Sequence, residues 1–377
     1  MKISDTSEIY IHIPFCVRKC LYCDFTSFPA DDDIREKYVD ALTQELYFIA
    51  NEKCHTAISA VFIGGGTPSV LPGDKIQKIM ECVRSNFDLC DDAEITIECN
   101  PGTLSEDKVR AYKQSGINRI SLGLQSSNDE ELKKLGRIHT YDDFLKSLEL
   151  VKNAGFTNIN VDLMNDIPGQ SIKSWEQTLR NVCDLEPSHI SAYSLIVEDD
   201  TPFGEMKKNG ELEIPDEDTD RKMYHMTSDI LSEYGYERYE ISNYAKKGYE
   251  CRHNTGYWTG VPYYGAGIDA SSYYDNCRFV NSDDILGYIK DPLNGHFLIE
   301  KLKKNDLMSE YMILGLRMIK GVSYSCFEER FSESLDKIYG ERIAKNIADG
   351  LLKRDDDRLF LTERGLDLAN VVMQGFI

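Results

Sequence analysis

Three cysteines near the start of the chain form its clearest chemical signal. Cys16, Cys20 and Cys23 follow the spacing C-x3-C-x2-C in the segment FCVRKCLYCDF. Thiolates are soft ligands that suit iron–sulfur clusters and zinc, but a structural zinc site takes four protein ligands, usually as two separated pairs. Three cysteines in one loop instead leave one corner of a [4Fe–4S] cube open to another ligand. The spacing favours such a cluster, and a zinc knuckle completed by His12 is the alternative.

Two further segments carry groups that can hold a small polar ligand. The run IGGGTP places Gly64, Gly65 and Gly66 before Thr67, and glycines let a backbone approach a ligand closely. Backbone carbonyls and a threonine hydroxyl can accept hydrogen bonds from an ammonium group. The run IECNP places Glu98 at the end of an apolar segment, where a carboxylate can accept two hydrogen bonds from a ribose. A plain tight turn and a surface glutamate are the alternative interpretations.

The hydrophobic pattern predicts the elements that must position these groups. Short apolar, β-branched runs alternate with stretches that have helical spacing. The predicted strands lie at residues 8–14, 58–65, 93–99, 118–124, 157–164 and 189–197. The predicted helices between them cover residues 34–50, 74–86, 105–115, 142–154 and 171–183. Such alternation with nearly continuous apolar strands predicts an α/β fold of parallel units that are covered on both faces.

Six such units predict a partial (β/α)6 barrel of TIM-like type over residues 1–200. In such folds the chemistry lies beyond the carboxyl ends of the strands, where Cys16 and Glu98 fall. Residues 201–300 are rich in Tyr, Gly and Asn and have weak periodicity, so they are predicted to form a linker region. Residues 301–377 become helical again and include a short strand, which predicts a C-terminal α-helical, winged-helix-like domain.

Composition excludes several classes of protein. The 43 Lys and Arg against 64 Asp and Glu give a net charge of −21 over 377 residues, which argues against nucleic-acid binding. No apolar run approaches the ~20 residues of a membrane span, and the N-terminus does not resemble a signal peptide. The eleven cysteines are too sparse for a disulfide scaffold. We therefore expect a cytoplasmic protein, with homodimer formation and transient membrane association left open.

The cysteine spacing resembles that of the radical S-adenosylmethionine (SAM) superfamily. Its members bind a [4Fe–4S] cluster through three cysteines, and SAM chelates the fourth iron, within a full or partial (β/α) barrel. The resemblance implies that Cys16, Cys20 and Cys23 bind the cluster. The SAM contacts that it implies are Tyr10, Tyr22, Gly65, Gly66, Thr67, Glu98, Gln125, Arg137 and Asp162.

Longer motifs narrow the resemblance to the oxygen-independent coproporphyrinogen oxidase group. The matching segments are IPFCVRKCLYCDF, FIGGGTPS, GINRISLGLQS, DIPGQ, SAYSLIVE, YEISNYA, CRHNTGYW and EYMILGLRMIKG. Two functions compete within this group. Coproporphyrinogen III dehydrogenases are radical enzymes that oxidatively decarboxylate two propionates, whereas HemW-type heme chaperones bind heme and deliver it to an acceptor hemoprotein.

Three features favour a heme chaperone. Phe25 stands where the dehydrogenase motif has a fourth cysteine, and the chain reaches Cys16 without the N-terminal extension of the dehydrogenases. The run HNTGYW matches the HNxxYW motif of HemW-type proteins, which implies that residues 201–300 are also a heme-associated region, with heme contacts from His253, Tyr257 and Trp258. The expected cofactors are therefore a [4Fe–4S] cluster, SAM and heme. Coproporphyrinogen III dehydrogenation is the alternative, a zinc-stabilised interaction protein is a third class, and cleavage of SAM stays open.

The chain departs from the group at three positions that usually hold glycine. Asp166, Asp200 and Asp269 occupy them. Where such a position has a positive φ, aspartate is better tolerated than most residues but costs more than glycine. Three added carboxylates near the barrel mouth would also disfavour an anionic ligand.

Overall fold

The predicted alternation of strands and helices is present in the structure, a computed structural model that describes residues 6–377. The first six strands are β1 (Thr6–Ile13), β2 (Ala57–Gly65), β3 (Leu89–Cys99), β4 (Arg119–Gln125), β5 (Asn158–Asn165) and β6 (His189–Ser194). They pair in chain order and all run parallel. The predicted α/β fold with a partial (β/α)6 barrel is confirmed.

Helices connect these strands and cover their outer face. They are α1 (Asp32–Glu52), α2 (Gly73–Asn86), α3 (Glu106–Gln114), α4 (Asp129–Lys134), α5 (Tyr141–Asn153) and α6 (Ile172–Cys183). Side chains that accept a backbone N–H begin several of them, as Ser105 does for α3 and Thr140 for α5. The sequence pattern missed α4, because six residues are too few to show a helical period.

The alternation along each strand makes the barrel interior polar. In β1, Ile9, Ile11 and Ile13 belong to the hydrophobic core, whereas Glu8 and His12 are buried polar residues. The same two-residue period places polar groups on the inner face of β3, β4 and β5. One face of each strand therefore packs against the helices, and the opposite face lines a polar site inside the barrel.

The stretch 201–300 continues the barrel sheet and is not a linker. Its elements are α7 (Pro202–Lys208), α8 (Glu217–Glu233), β7 (Glu237–Arg238), β8 (Asn243–Ala245), α9 (Arg252–Thr259), β9 (Tyr263–Ala266), β10 (Ser271–Tyr274), β11 (Cys277–Asn281), α10 (Ile285–Lys290) and β12 (His296–Lys301). Strand β8 pairs antiparallel with β6, and β9 pairs parallel with β1. One twelve-stranded sheet results. These strands escaped the sequence pattern because most have only two to five residues.

The predicted C-terminal helical unit is present, and the structure shows that it has a hydrophobic core of its own. Its elements are α11 (Lys304–Gly315), β13 (Val322–Ser323), α12 (Tyr324–Phe331), α13 (Leu335–Ala348), β14 (Leu352–Asp355), β15 (Arg358–Leu361), α14 (Glu363–Asp367) and α15 (Ala369–Gln374). The three strands form a small antiparallel sheet. Met312, Phe327 and Phe376 are fully buried in this second core. Helix α11 contacts α9, which joins the unit to the barrel.

The helices within residues 6–377 were compared with the requirements of a bilayer span. None of them is both long enough and apolar enough to cross a membrane.

Two of the three unusual aspartates adopt a left-handed backbone. Asp166 has a φ of 64° and Asp269 a φ of 57°, whereas Asp200 has no positive φ. The Asp269 carboxylate accepts a hydrogen bond from Thr26 Oγ1 at 2.7 Å. Asp166 Oδ1 is instead buried without a hydrogen-bond partner. Burial, with a smaller contribution from neighbouring carboxylates, raises the pKa of Asp166 to about 6.

We expect Asp166→Asn to stabilise the protein in a pH-dependent way. The unfolded chain releases this proton near pH 3.8 and the folded chain near pH 6, so wild-type stability falls as the pH rises between these values. Asparagine tolerates the left-handed backbone and carries no charge. The melting temperature of the variant should match wild type near pH 4 and exceed it by about 2 °C or more above pH 6. Asp269→Asn is the control, because its carboxylate already has a donor, and an equal gain there would contradict this reasoning.

Candidate functional site

The cysteine loop follows β1 and is closed at its base by backbone hydrogen bonds. Cys16 N–H donates to the carbonyl of Phe28 at 3.1 Å, and Phe28 N–H donates to the carbonyl of Pro14 at 2.9 Å. Cys16 is buried, while Cys20 and Cys23 are half-buried. Burial raises the pKa of both half-buried thiols, and the Arg137 guanidinium opposes this effect at Cys20. The two backbone hydrogen bonds therefore fix the base of the loop, and the loop presents its three thiols to one side.

The three thiols line a single cavity of about 400 Å³ at the carboxyl ends of the strands. No three His, Cys, Asp or Glu side chains within residues 6–377 converge tightly enough to bind one metal ion. His12 also has a partner for each ring nitrogen, Tyr10 Oη and the carbonyl of Thr26. A cubane needs more widely spaced thiolates than one zinc ion does, since each binds a different iron. The contacts of His12 argue against a zinc knuckle completed by this residue.

The glycine-rich loop lies directly against the base of the cysteine loop. Gly66 N–H donates to the carbonyl of Ile13 at 2.9 Å, and Thr67 N–H donates to the carbonyl of Phe15 at 2.8 Å. A Cβ on Gly66 would lie 2.9 Å from the Phe15 carbonyl oxygen, so a side chain does not fit there. The Thr67 hydroxyl lies 3.3 Å from Cys16 Sγ. Glycines therefore let this loop and the cysteine loop form one wall of the cavity.

Arg137 supplies the cavity with a buried cation that has spare hydrogen-bonding capacity. Its Nη1 donates to Asn100 Oδ1 and its Nη2 donates to Tyr22 Oη, both at 2.9 Å. Its Nε is buried without a partner. A guanidinium fixed in this way can bind a carboxylate in a defined orientation. The residue therefore fits the carboxyl group of a SAM molecule.

Two carboxyl groups face the same cavity from β3 and β5. Glu98 Oε2 accepts the N–H of Gly65 at 3.2 Å, and Asp162 accepts hydrogen bonds from Ser121 and Asn160. Burial, reinforced by the Asp162 carboxylate, raises the pKa of Glu98 to about 8. A carboxyl group that is largely protonated at neutral pH can both donate and accept hydrogen bonds, which suits a ribose diol.

All but one of the predicted cluster and SAM residues line this cavity. They are Cys16, Cys20, Cys23, Tyr22, Gly65, Gly66, Thr67, Glu98, Gln125, Arg137 and Asp162. Tyr10 does not line it, because its ring lies deeper in the barrel, stacked on Phe62 and His253. Gln125 has a φ of 74° and accepts a hydrogen bond from Tyr193 Oη at 3.0 Å. These site assignments stay predictions.

Several lining residues lay outside the predicted set. Ser121 and Gly123 precede Gln125 on the same face of β4, and Tyr193 comes from β6. The two-residue period of β4 could have found the first two, since a site residue on a strand predicts its neighbours at i−2 and i−4. Tyr193 lies in the motif segment SAYSLIVE, so the resemblance pointed to its segment but gave the residue no role.

Arg137→Lys should weaken SAM binding without loss of the cluster. Lysine cannot bridge Asn100 and Tyr22 at once, and each charge-assisted hydrogen bond is worth about 1.5–3 kcal/mol. We expect a rise in the SAM dissociation constant of about 10-fold or more, measured by equilibrium dialysis under anaerobic conditions. Arg180→Lys on the surface of α6 is the matched control. Unchanged affinity in Arg137→Lys would remove this residue from the SAM site.

His253 lies at the opposite, amino-terminal end of the barrel strands. It belongs to α9, and only 2% of its surface is exposed. Its ring packs 4.9 Å from the Phe62 ring, and Nδ1 lies 2.8 Å from Glu8 Oε2. Neither ring nitrogen has a partner with hydrogen-bond geometry.

Burial leaves both groups of this contact neutral. It lowers the pKa of His253 to about 3, with the Arg119 charge adding to the effect. It raises the pKa of Glu8 to about 9, with the Glu94 carboxylate adding to the effect. The contact is therefore not an ion pair at neutral pH. Cys251, at the start of α9, is also buried here, with Sγ 3.5 Å from Glu94 Oε1.

The fold and the cysteine site define a radical SAM protein. Residues 10–182 match the radical SAM superfamily, and residues 302–368 match the HemN C-terminal domain. The chain is 38% identical to a protein of Lactococcus lactis described as heme chaperone HemW, over 98% of this chain and 97% of that protein. The Bacillus subtilis protein of the same description is 35% identical, over 98% of each chain. The chain belongs to the HemW family.

A solved structure shows the same fold. Coproporphyrinogen III oxidase (HemN) from Escherichia coli superposes with a TM-score of 0.86 over 100% of this chain and 91% of that chain, at 24% identity. Membership in the radical SAM superfamily implies a [4Fe–4S] cluster and SAM. The three thiols and the unpartnered Nε of Arg137 fit these groups. When bound, they supply one-electron chemistry, while this chain's residues orient the cofactor and exclude water.

Proposed function

We propose that this protein is a heme chaperone, which binds heme and transfers it to an acceptor hemoprotein, and that it carries a SAM-ligated [4Fe–4S] cluster. The similarity to heme chaperones over nearly the whole chain carries the proposal. It covers both the barrel and the C-terminal unit, so it concerns the whole architecture and not the cluster loop alone.

Coproporphyrinogen III dehydrogenation is the competing reaction. Phe25 is 62% exposed and lines the mouth of the cluster cavity, where the dehydrogenase motif has its fourth cysteine. The 24% identity to HemN supports a shared fold and no shared reaction. The presence of Phe25 therefore favours the chaperone.

The heme contacts that we propose come from α9. Tyr257 and Trp258 line a cavity of about 430 Å³, which His253 does not line. A buried histidine packed against Glu8 and Phe62 cannot reach a ligand in that cavity without a movement of α9. We therefore assign Tyr257 and Trp258 to heme contact and His253 to positioning of the helix.

The cellular setting that we propose is the cytoplasm. Within residues 6–377, no cysteine forms a disulfide, which is typical of a reducing compartment. The partner is an acceptor hemoprotein, and the net charge of −21 argues against a nucleic acid. Homodimer formation and transient membrane association stay predictions.

Two anaerobic assays test the function. In the first, the cluster-loaded protein is saturated with hemin, freed of excess ligand and mixed with apomyoglobin. We expect the heme absorption of the acceptor to rise as that of the donor falls. In the second, the protein receives SAM, reductant and coproporphyrinogen III. Formation of protoporphyrinogen would overturn the chaperone assignment, as would failure to bind hemin.

A further inference from the structure

A cavity of about 430 Å³ lies between α9, strands β9 to β11 and the C-terminal unit. Its volume is within the range of small-molecule sites. Five aromatic side chains contribute to its wall, namely Tyr257, Trp258, Tyr263, Tyr273 and Tyr311. The rings of Tyr257 and Tyr263 meet edge to face, with centroids 4.5 Å apart. Such a wall suits a flat, conjugated ligand.

The same cavity concentrates positive charge in a strongly acidic chain. Arg278, Lys320, Arg330 and Arg358 line it, against one carboxylate, Glu310. Glu310 pairs with Arg278 at 2.5 Å. Within residues 6–377, no carboxylate lies at ion-pair distance from the other three cations. Arg358 Nη1 donates only to the backbone carbonyls of Lys320 and Gly321. Cations that lack a carboxylate partner beside an aromatic wall indicate a ligand that carries carboxylates.

We propose that this cavity binds a tetrapyrrole, with the macrocycle against the tyrosine and tryptophan rings and the propionates on Arg330 and Arg358. The inference rests on the proposed function and adds the location and chemistry of the heme site. Recognition comes from the ring and the carboxylates, so the metal-free macrocycle also binds.

The position of the cavity separates this ligand from SAM. Tyr263 on its wall pairs with Glu8 at the amino end of β1, whereas the cysteine loop follows the carboxyl end. At about 3.3 Å per residue, roughly 20 Å separate Glu8 from Pro14. A tetrapyrrole at the amino end is therefore out of reach of the cofactor site. The separation suits a cargo that is carried and not one that is transformed.

The charges are tested with the full-length protein and its reconstituted cluster. Hemin and protoporphyrin IX are titrated into wild type and into the double variant Arg330→Gln/Arg358→Gln. We expect both dissociation constants to rise about 10-fold or more, with iron content and SAM affinity unchanged. The control is Arg342→Gln/Lys353→Gln, which removes two exposed charges from the same unit and should bind both ligands as wild type does.

The cavity itself is tested by a variant that fills its space with a larger side chain. Val261 lines it and is half-buried, so Val261→Trp should reduce binding of both ligands while the cluster and SAM affinity persist. Wild-type hemin binding in both cavity variants would overturn this site and leave the proposed function standing. Binding of hemin but not protoporphyrin IX to wild type would also overturn it. Failure of wild type to bind hemin would overturn the proposed function itself.

Discussion

Cys23→Ser is expected to abolish the brown colour of anaerobically purified protein and most of its labile sulfide. Serine is a poor ligand for iron in a cluster, and two remaining cysteines leave two irons without protein ligands. Wild type should contain about four irons and four sulfides per chain after reconstitution. We expect the variant to contain less than about a quarter of each. SAM affinity should fall with the cluster, because the exposed iron is part of the SAM site.

Cys277→Ser is the matched control for this experiment. Cys277 is a half-buried free thiol in β11, outside the cysteine loop. The control should keep the iron, the sulfide and the visible absorption spectrum of wild type. A Cys23 variant with the full sulfide content of wild type would refute the assignment of this residue to the cluster.

Gly256→Ala should strongly lower the free energy of unfolding. A Cβ at Gly256 would lie 2.0 Å from Glu8 Oε1 and 2.5 Å from its Cδ. Glu8 is 2% exposed and cannot swing away into solvent. Overpacking of this kind costs about 1–3 kcal/mol, and we expect the upper half of that range in urea titrations. Because Glu8 cannot move aside, α9 itself must shift away from the barrel to relieve the clash, which accounts for the high cost.

A double-mutant cycle shows whether the glutamate is the cause. Glu8→Ala removes the clashing carboxyl group, so Glu8→Ala/Gly256→Ala should be less destabilised than the sum of the two single variants. Gly340→Ala is in a helical position where an added Cβ would meet only Asp336 Cβ at 4.0 Å, and it should instead stabilise by about 0.5–1 kcal/mol. Strict additivity in the cycle would show that the clash is not what destabilises Gly256→Ala.

The barrel and its cofactor cavity were predictable because their signals are local. Each strand of the barrel carries its own apolar run, and parallel pairing brings the carboxyl ends of all strands to one edge. The cysteine trio and the glycine loop follow β1 and β2 directly, so their proximity follows from the fold. The ring of Tyr10 lies near His253, deeper in the barrel than the cofactor cavity, because sequence spacing alone does not give the depth of a side chain along the interior.

The second cavity was not predictable, because its wall is assembled from distant segments. Trp258, Tyr311 and Arg358 come from α9, α11 and β15. The motif segments CRHNTGYW and EYMILGLRMIKG contain the first two, but no local pattern shows that these three elements meet around one cavity. The burial of His253 likewise depends on a segment that is distant in the sequence. Its neighbour Glu8 lies far away in the sequence, and the pairing of β9 with β1 helps to bring α9 against that residue. The HNTGYW motif therefore places Tyr257 and Trp258 on the cavity wall and His253 in the packed interior.

Strand β1 connects the two cavities, since Glu8 lies near one and the cysteine loop begins after the other end. Thermodynamic linkage then imposes a strict symmetry on any communication between them. Whatever factor SAM applies to the tetrapyrrole dissociation constant, the tetrapyrrole must apply to that of SAM. A chaperone that releases its cargo when the cofactor binds must therefore also lose cofactor affinity each time it is reloaded.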